Sequence, residues 1–151
     1  GLKQRGVNVI TSLELDPAKM EEKNHKLQEK YRRIKENEVR YETKDLEDAE
    51  LAIVAFGSAA RISQKAIEIA REQGIKVGLF RPITLWPFPQ EEIAELSKKL
   101  KGILVVEINA GQMVYDVRYA VEGRVPVKHY GRLGGIVPDP DEIIEVLKQL
   151  D

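Results

Sequence analysis

The sequence predicts a three-layer α/β/α domain built on a mostly parallel sheet and preceded by a polar helix. Four short apolar runs, at 51–56, 76–80, 103–108 and 125–130, are typical of strands that are buried on both faces. Helical patterns lie between them, at about 25 residues for each strand and helix pair. This regular alternation indicates parallel strands joined by crossover helices that cover both faces of the sheet.

The first predicted helix lies near the N-terminus and is highly charged. Asp16 can cap it, and Pro17 suits its first turn. Its apolar side chains form one narrow stripe, made of Met20, Leu27, Tyr31 and Ile34. The helix is interpreted either as a solvated helix on its own domain or as a linker whose partner lies elsewhere. We predict a linker with this helix at 1–38 and the α/β domain at 39–151.

Apolar faces that end at glycines predict the helices between the strands. These faces are Ile62, Ala66, Ile69, Ala70 and Gln73 before Gly74, then Ile93, Leu96 and Leu100 before Gly102, then Met113, Val117 and Ala120 before Gly123. Asp139 and Pro140 begin a last helix, because Asp is a good cap and Pro suits the first helical position. Its apolar residues are Ile143, Ile144, Val146, Leu147 and Leu150.

Composition excludes several classes of function. The 24 basic and 25 acidic residues nearly cancel, which argues against a nucleic-acid surface or a basic membrane patch. The chain has no cysteine, so it cannot hold an iron–sulfur cluster or a thiolate zinc site, and no metal ligand set is predicted. No apolar run reaches the roughly 20 residues that span a bilayer. We expect a cytoplasmic protein, and the abundance of Lys and Glu favours a thermophilic source.

Ligands of open α/β sheets bind beyond the carboxyl ends of the strands, so the turns there are the candidate sites. In the first turn, Gly57, Ser58 and Arg61 surround the positive end of a helix and are candidate anion contacts. An ordinary strand-to-helix turn uses the same residue types. The dinucleotide motif GxGxxG is absent, and no acidic residue ends the strand, which argues against a receiver domain.

Polar residues also follow the third and last strands. Asn109, as a cap, and Gln112, in the first helical turn, are further candidate ligand contacts. Arg132 in the glycine-rich segment 131–135 is a candidate anion contact, although the P-loop pattern is absent. Glu107 at a strand end either faces a neighbouring subunit or is an internally satisfied acid. No catalytic residue is predicted.

The segment 81–89, RPITLWPFP, carries an unusual density of proline and aromatic residues. Its three prolines fix φ, and Trp86 and Phe88 offer large apolar area. Such a rigid loop either covers the core of its own domain or anchors a protein interface. The candidate interface residues are Arg81, Trp86, Phe88 and Glu107.

The order of these pieces closely resembles the C-terminal region of the alpha subunit of 2-oxoacid:ferredoxin oxidoreductases, particularly of the 2-oxoglutarate type. The matching pieces are GS at 57–58, KVGLFRPITLWPFP at 76–89, VVEINAGQM at 105–113 and GRLGG at 131–135, with Arg61 and Arg118 in the helices. The resemblance covers 40–150. It implies a transketolase C-terminal-like fold with a five-stranded mixed sheet, in which 39–42 forms an additional antiparallel strand.

The resemblance also implies the reaction of the complete enzyme. Family members convert a 2-oxoacid and CoA to acyl-CoA and CO₂, with thiamine diphosphate, magnesium, iron–sulfur clusters and ferredoxin as the electron acceptor. The implied partners are the other domains of the alpha subunit and the beta subunit, together with gamma and delta subunits where these exist. We expect this chain to bind none of the cofactors alone and to be inactive in isolation.

The leading hypothesis is therefore a non-catalytic assembly domain whose loop at 81–89 forms a preformed docking surface. One alternative is the C-terminal domain of another thiamine enzyme, such as the E1 beta subunit of a 2-oxoacid dehydrogenase. A second is a free-standing module that binds a small ligand through the turns at Ser58, Asn109 and Gly134.

Overall fold

The computed structural model describes residues 6–7, 9 and 11–150. The contacts within the chain divide it into two compact units, Gly1–Asn37 and Glu38–Asp151. The first unit contains helix α1, Pro17–Asn37. The Asp16 carboxylate accepts a hydrogen bond from the N–H of Ala18 at 3.0 Å, which confirms the predicted cap.

Helix α1 buries none of its residues. Ion pairs one turn apart run along it, such as Lys26 with Glu22 at 2.6 Å and Arg32 with Glu29 at 2.7 Å. Each pair of this kind stabilises an isolated helix by about 0.2–0.5 kcal/mol. In the predicted apolar stripe, Leu27 and Tyr31 are about two-fifths exposed. Local interactions therefore support this helix more than apolar burial does.

The second unit contains one mixed sheet of five strands. They are β1 Tyr41–Lys44, β2 Leu51–Ala55, β3 Val77–Pro82, β4 Gly102–Glu107 and β5 Val127–Gly131. Their spatial order is β1-β3-β2-β4-β5, with β2 to β5 parallel and β1 antiparallel to β3. The predicted mixed five-stranded fold is confirmed. The antiparallel strand begins at Tyr41 rather than at 39, because the Arg40 carbonyl instead accepts hydrogen bonds from the N–H groups of Ile83 and Thr84.

Four helices cover the two faces of the sheet. They are α2 Gly57–Glu72, α3 Gln90–Ser97, α4 Met113–Val121 and α5 Pro140–Leu147, which a short 3₁₀ turn, Lys148–Leu150, extends. The Asp139 carboxylate accepts the N–H of Asp141 at 2.8 Å, so the predicted start of α5 is confirmed. Helix α3 ends at Ser97, and Gly102 is the first residue of β4 rather than a helix stop.

Side chains alternate between the two faces of the sheet and build two cores. Leu51 and Ile53 face α2 and α5, whereas Ala52 and Val54 face α3 and α4. Helix α2 is rotated from its predicted face: Ile67 is buried, while Ile62 and Ile69 are half-buried and Gln73 is exposed. Small residues at 59, 60, 63, 66 and 70 let this helix pack closely on the sheet.

Gly78 sets the position of the segment that follows β1. A Cβ there would lie 2.4 Å from the carbonyl oxygen of Asp45 and 2.7 Å from the side chain of Leu46. Only glycine permits this close approach. The loop therefore lies directly on β3. At the opposite end of the sheet, the turns that follow β2, β3, β4 and β5 share one edge, here called the carboxyl edge.

Candidate functional site

The β2–α2 turn has an uncapped helix start. Phe56 occupies the N-cap position and makes no side-chain capping hydrogen bond, and Gly57 has a φ of 56°. The first N–H groups of α2 therefore point to the carboxyl edge with no side-chain acceptor of their own. A cavity of about 470 Å³ opens at this point, and its lining residues are Gly57, Ser58, Ala60, Arg61, Gln64 and Arg81.

This cavity, the α2 cavity, is rich in hydrogen-bond donors and in positive charge. Arg81 forms an ion pair with Glu42 at 2.8 Å, and its Nε is buried without a hydrogen-bond partner. Arg61 is exposed and forms no ion pair within the described part of the chain. The structure thus brings together the predicted anion contacts Gly57, Ser58 and Arg61 and adds Arg81, which the sequence had suggested only as an interface residue.

The β4–α4 turn is the opposite case, because a side chain of the protein fills it. Glu107 is fully buried, and its carboxylate accepts the N–H groups of Gln112 at 3.2 Å, Met113 at 2.9 Å and Val114 at 3.1 Å. The amide of Asn109 donates to the same carboxylate at 3.1 Å. A buried carboxylate is stable here because these donors and the helix dipole compensate its charge.

These contacts correct three sequence-based expectations. Glu107 is internal and cannot form part of an exposed interface. Asn109 does not cap α4: its side-chain oxygen accepts the N–H of Gly111 at 2.7 Å and closes the turn. Gln112 is the N-cap residue itself, and only its backbone N–H takes part in the cluster.

Two further titratable groups interact with this carboxylate. The Nε2 atom of His129 lies 3.5 Å from Glu107 and makes no hydrogen bond. Burial raises the pKa of Asp116, and the negative charge of Glu107 raises it further. The proximity of His129 to Glu107 follows from the pairing of β4 with β5.

The loop after β3 is fixed to the start of β1. Pro82, Pro87 and Pro89 are buried, and the bond between Trp86 and Pro87 is cis. The Thr84 hydroxyl donates to the carbonyl of Pro87 at 2.9 Å and accepts the N–H of Arg40 at 3.0 Å. The Thr84 hydroxyl therefore links the segment 83–89 both to residue 40 and to its own far end.

The two aromatic side chains of this loop have different surroundings. Phe88 is half-buried and packs against the core under α3 and α4, whereas Trp86 is 54% exposed. Ile83 and Leu85 are exposed beside it, at 48% and 45%. The expectation of two interface anchors is corrected for Phe88, which covers the core of its own domain. Ile83, Leu85 and Trp86 form the exposed group, here called the Trp86 cluster.

The β5–α5 turn carries a second exposed apolar group. Leu133, Ile136 and Val137 are each more than half exposed. Sequence reasoning missed these three residues, although a run of apolar residues outside any strand or helix was a usable signal. Arg132 at the base of the turn forms an ion pair with Glu142 at 3.5 Å. The Nε of Arg132 is buried without a hydrogen-bond partner, and Arg132 does not line the α2 cavity.

The hydroxyl of Tyr130 also donates a hydrogen bond to the carboxylate of Glu142. Burial, followed by this hydrogen bond, raises the pKa of Tyr130. Within residues 6–7, 9 and 11–150, no group of three or more His, Cys, Asp or Glu side chains has a metal-binding arrangement. Over the same residues, no helix has the length and apolar character needed to cross a membrane.

These features define an α/β domain with an open mixed sheet and a carboxyl edge that combines an arginine-lined cavity with exposed apolar loops. Residues 49–143 match the family described as pyruvate:ferredoxin oxidoreductase core domain II. The chain belongs to this family. The match confirms the resemblance to 2-oxoacid:ferredoxin oxidoreductases and favours this family over an E1 beta subunit.

Relatives differ in the substrate that their names state. The chain is 44% identical over 143 residues to ketoisovalerate oxidoreductase subunit VorB of Methanothermobacter thermautotrophicus, a match that covers 95% of this chain and 40% of the relative. It is 36% identical over 98 residues to 2-oxoglutarate synthase subunit KorA of Methanothermobacter marburgensis, covering 65% of this chain and 26% of that one. The chain thus spans about two-fifths, or less, of the length of these relatives.

A solved structure supports the fold. The 2-oxoglutarate:ferredoxin oxidoreductase of Magnetococcus marinus, with 2-oxoglutarate, coenzyme A and succinyl-CoA bound, superposes with a TM-score of 0.73. The aligned region covers 91% of this chain and 24% of that chain, at 21% identity. At this identity the similarity establishes the fold alone.

Proposed function

We propose that this chain is a non-catalytic assembly domain of a 2-oxoacid:ferredoxin oxidoreductase subunit, the alpha subunit in the nomenclature of the resemblance. The family match of 49–143 is the observation that carries this proposal. In this reading, 1–38 is a linker from a preceding domain and 39–151 is the assembly domain. Thiamine diphosphate, magnesium, iron–sulfur clusters, CoA and ferredoxin then belong to the holoenzyme and its other domains.

The Trp86 cluster supports docking as the contribution of this domain. Its three side chains are exposed on a loop that buried prolines and the bonds of Thr84 hold in place. A preformed apolar loop loses little conformational entropy when a partner covers it. Trp is also the residue type that most often dominates the energy of an interface.

The matched experiment replaces Leu85 and Trp86 by Ala in the complete subunit. We expect about 30-fold weaker association with the other subunits by analytical ultracentrifugation, which corresponds to the loss of one strong hot spot. Tyr119→Ala is the control, because Tyr119 is a 71% exposed aromatic residue on α4, outside the loop. Unchanged association of the double variant would refute docking through this cluster. Phe88 is left intact because it packs into the core.

We also propose a branched-chain 2-oxoacid as the substrate of the holoenzyme. The ketoisovalerate relative matches more of the chain, and at higher identity, than the 2-oxoglutarate relative does. We therefore expect the reconstituted enzyme to have a higher kcat/KM for ketoisovalerate than for 2-oxoglutarate, measured by ferredoxin reduction with each acid. The reverse order would restore the 2-oxoglutarate assignment suggested by the sequence.

Contact with an anionic group at the α2 cavity remains a secondary proposal. Gly57, Ser58, Arg61 and Arg81 support it through their common position. Asn109, Gln112 and Arg132 do not support it, because none of them lines the α2 cavity.

A further inference from the structure

The α2 cavity lies between two exposed apolar groups on the carboxyl edge. Strand β2 runs between β3 and β4, so the loop after β3 and the turn after β4 flank the turn that follows it. The loop carries the Trp86 cluster, whose first residue, Ile83, follows the cavity residue Arg81 by two positions and about 7 Å at most. The turn begins with Ile108, which is 40% exposed. We call the Trp86 cluster, the α2 cavity and Ile108 together the edge surface.

The positive charge at the centre of the edge surface is only partly balanced within the domain. Two arginines line the α2 cavity, and none of its lining residues is acidic. The ion pair between Arg81 and Glu42 compensates one of them. Along α2, the positions one turn before and after Arg61 hold no acid: they are Gly and Ser at 57–58 and Gln and Lys at 64–65. Two guanidinium groups therefore share the single carboxylate of Glu42.

A partner that covers both apolar groups also covers the charge between them. Removing the side chains of the Trp86 cluster and Ile108 from water favours docking. Removing the guanidinium of Arg61 from water opposes docking unless an anion pairs with it. Both conditions are met by a partner that carries a carboxylate opposite the cavity. Arginine suits this contact, because its planar guanidinium can bind both oxygens of a carboxylate.

We propose that the edge surface docks another subunit of the enzyme, which presents an Asp or Glu side chain to Arg61 and Arg81 and apolar residues on either side of it. The inference rests on the proposed docking through the Trp86 cluster and adds the chemistry of the partner. The apolar contacts hold the two surfaces together, and the carboxylate selects the partner, because a surface without it would leave a guanidinium buried and unpaired.

The first test removes the charge of Arg61 in the complete subunit. By analytical ultracentrifugation, Arg61→Gln should weaken association with the other subunits at least about tenfold at low salt, and association should become less sensitive to salt. Arg61→Lys keeps the charge and should stay within about threefold of the unaltered subunit. Lys65→Gln is the matched control, because it removes the same charge from α2 at a position that does not line the cavity. It should leave association unchanged.

A second variant separates docking from folding. Ser58→Asp places an internal carboxylate three residues before Arg61, so it should stabilise the domain through the start of α2 and still weaken association about tenfold by competing with the carboxylate of the partner. Ser58→Asn is the neutral control and should keep the affinity. Because the two effects of Ser58→Asp have opposite signs, partial unfolding cannot account for the loss of association. Association of Ser58→Asp as strong as that of Ser58→Asn would contradict an acidic partner.

A third variant tests whether the partner covers both sides of the cavity. Ile108→Ala should weaken association about fivefold, because it removes apolar area on the side of the cavity away from the Trp86 cluster. Thermal unfolding verifies that the variant folds. Unchanged association would place Arg61 at the rim of the interface, in contact with water, and the requirement for a carboxylate would disappear.

The outcomes distinguish this proposal from the docking proposal on which it rests. If Leu85→Ala with Trp86→Ala weakens association and Arg61→Gln does not, docking through the Trp86 cluster stands and the acidic partner is wrong. If none of these variants changes association, both proposals fail. Calorimetric titration of the free subunit with inorganic phosphate tests the other occupant of the cavity. Phosphate binding that Arg61→Gln abolishes, together with unchanged association of that variant, would assign the cavity to a free anion and overturn the proposal.

Discussion

The β2–α2 and β4–α4 turns lie side by side on the carboxyl edge and differ in how they accommodate the start of a helix. Each must provide for the unpaired N–H groups at the start of a helix. At α4 the protein supplies its own anion, the buried carboxylate of Glu107. At α2 it supplies no side-chain acceptor and places Arg61 and Arg81 nearby. The polar groups of the β4–α4 turn are therefore satisfied internally, whereas those of the β2–α2 turn remain accessible at the surface.

The largest effect is expected from removing the internal anion. Glu107→Ala leaves the N–H groups of Met113 and Val114 and the amide of Asn109 without their acceptor in a buried site. We expect it to lower the free energy of unfolding by about 3 kcal/mol, measured by urea denaturation. Glu122→Ala, which removes an exposed ion pair with Arg124, should change it by less than about 0.5 kcal/mol. Equal effects of the two changes would remove the distinction between the turns.

A smaller effect is expected from a glycine beside each turn. At Gly131 a Cβ would lie 2.3 Å from the carbonyl oxygen of Asn109, so Gly131→Ala should cost about 2 kcal/mol through overpacking. At Gly57 the space is free and only the positive φ opposes a side chain, so Gly57→Ala should cost about 1 kcal/mol. Urea denaturation measures the loss in free energy of unfolding for each variant. A larger loss for Gly57→Ala than for Gly131→Ala would contradict the description of Gly131 as tightly packed and of Gly57 as open.

The α2 turn should gain stability from an added negative charge. Ser58→Asp places a carboxylate in the first turn of α2, close to Arg61, and should raise the free energy of unfolding by about 0.3–1 kcal/mol at low salt. Ser58→Asn is the matched neutral control. High salt should reduce the difference between the two variants. If Ser58→Asp is no more stable than Ser58→Asn, the positive end of the α2 dipole gains nothing from an added negative charge.

The smallest effect concerns Asp116, whose pKa is raised by burial and then by the charge of Glu107. A pKa that is higher in the folded state contributes stability at low pH, and this contribution is lost as the pH rises through the folded value. Asp116→Asn should remove that dependence, which we expect to be less than about 0.5 kcal/mol because solvent screens a residue that is more than a third exposed. Denaturation curves between about pH 3 and pH 7 measure it.

A control of opposite sign is available at Asp48. The hydrogen bond from Arg71 lowers the pKa of this carboxyl, so its contribution is present at higher pH and is lost as the pH falls through the folded value. Asp48→Asn should therefore flatten the acid side of the profile. The same pH dependence in both variants would contradict the assigned causes.

Sequence periodicity was sufficient to locate the four parallel strands of the domain. The apolar runs located four strands, and the stripe of Ile93, Leu96 and Leu100 was correctly assigned to the core. The strand β1 was anticipated only through resemblance, because YETK carries no apolar run and its four residues are all exposed. The buried face of α2 was misplaced, since small residues next to the sheet give a weak periodic signal.

The candidate site was predicted less completely than the fold. The turns were located correctly, because the carboxyl ends of parallel strands meet at one edge. The state of each side chain in those turns was not predictable. Glu107 was expected either to face a neighbouring subunit or to be an internally satisfied acid, and its carboxylate has internal donors. Arg132 was a candidate anion contact, and it forms an ion pair with Glu142. Phe88 and Trp86 are separated by one residue, yet one covers the core and the other is exposed.

The amino-acid sequence by itself determined the class of fold, the polar helix and the location of the strand-end turns, because these depend on periodic burial and on local capping and turn chemistry. Only the tertiary structure decided which polar groups are satisfied within the domain and which apolar groups remain exposed. These properties depend on neighbours that are distant in the sequence, as the pairing of β4 with β5 brings His129 to Glu107.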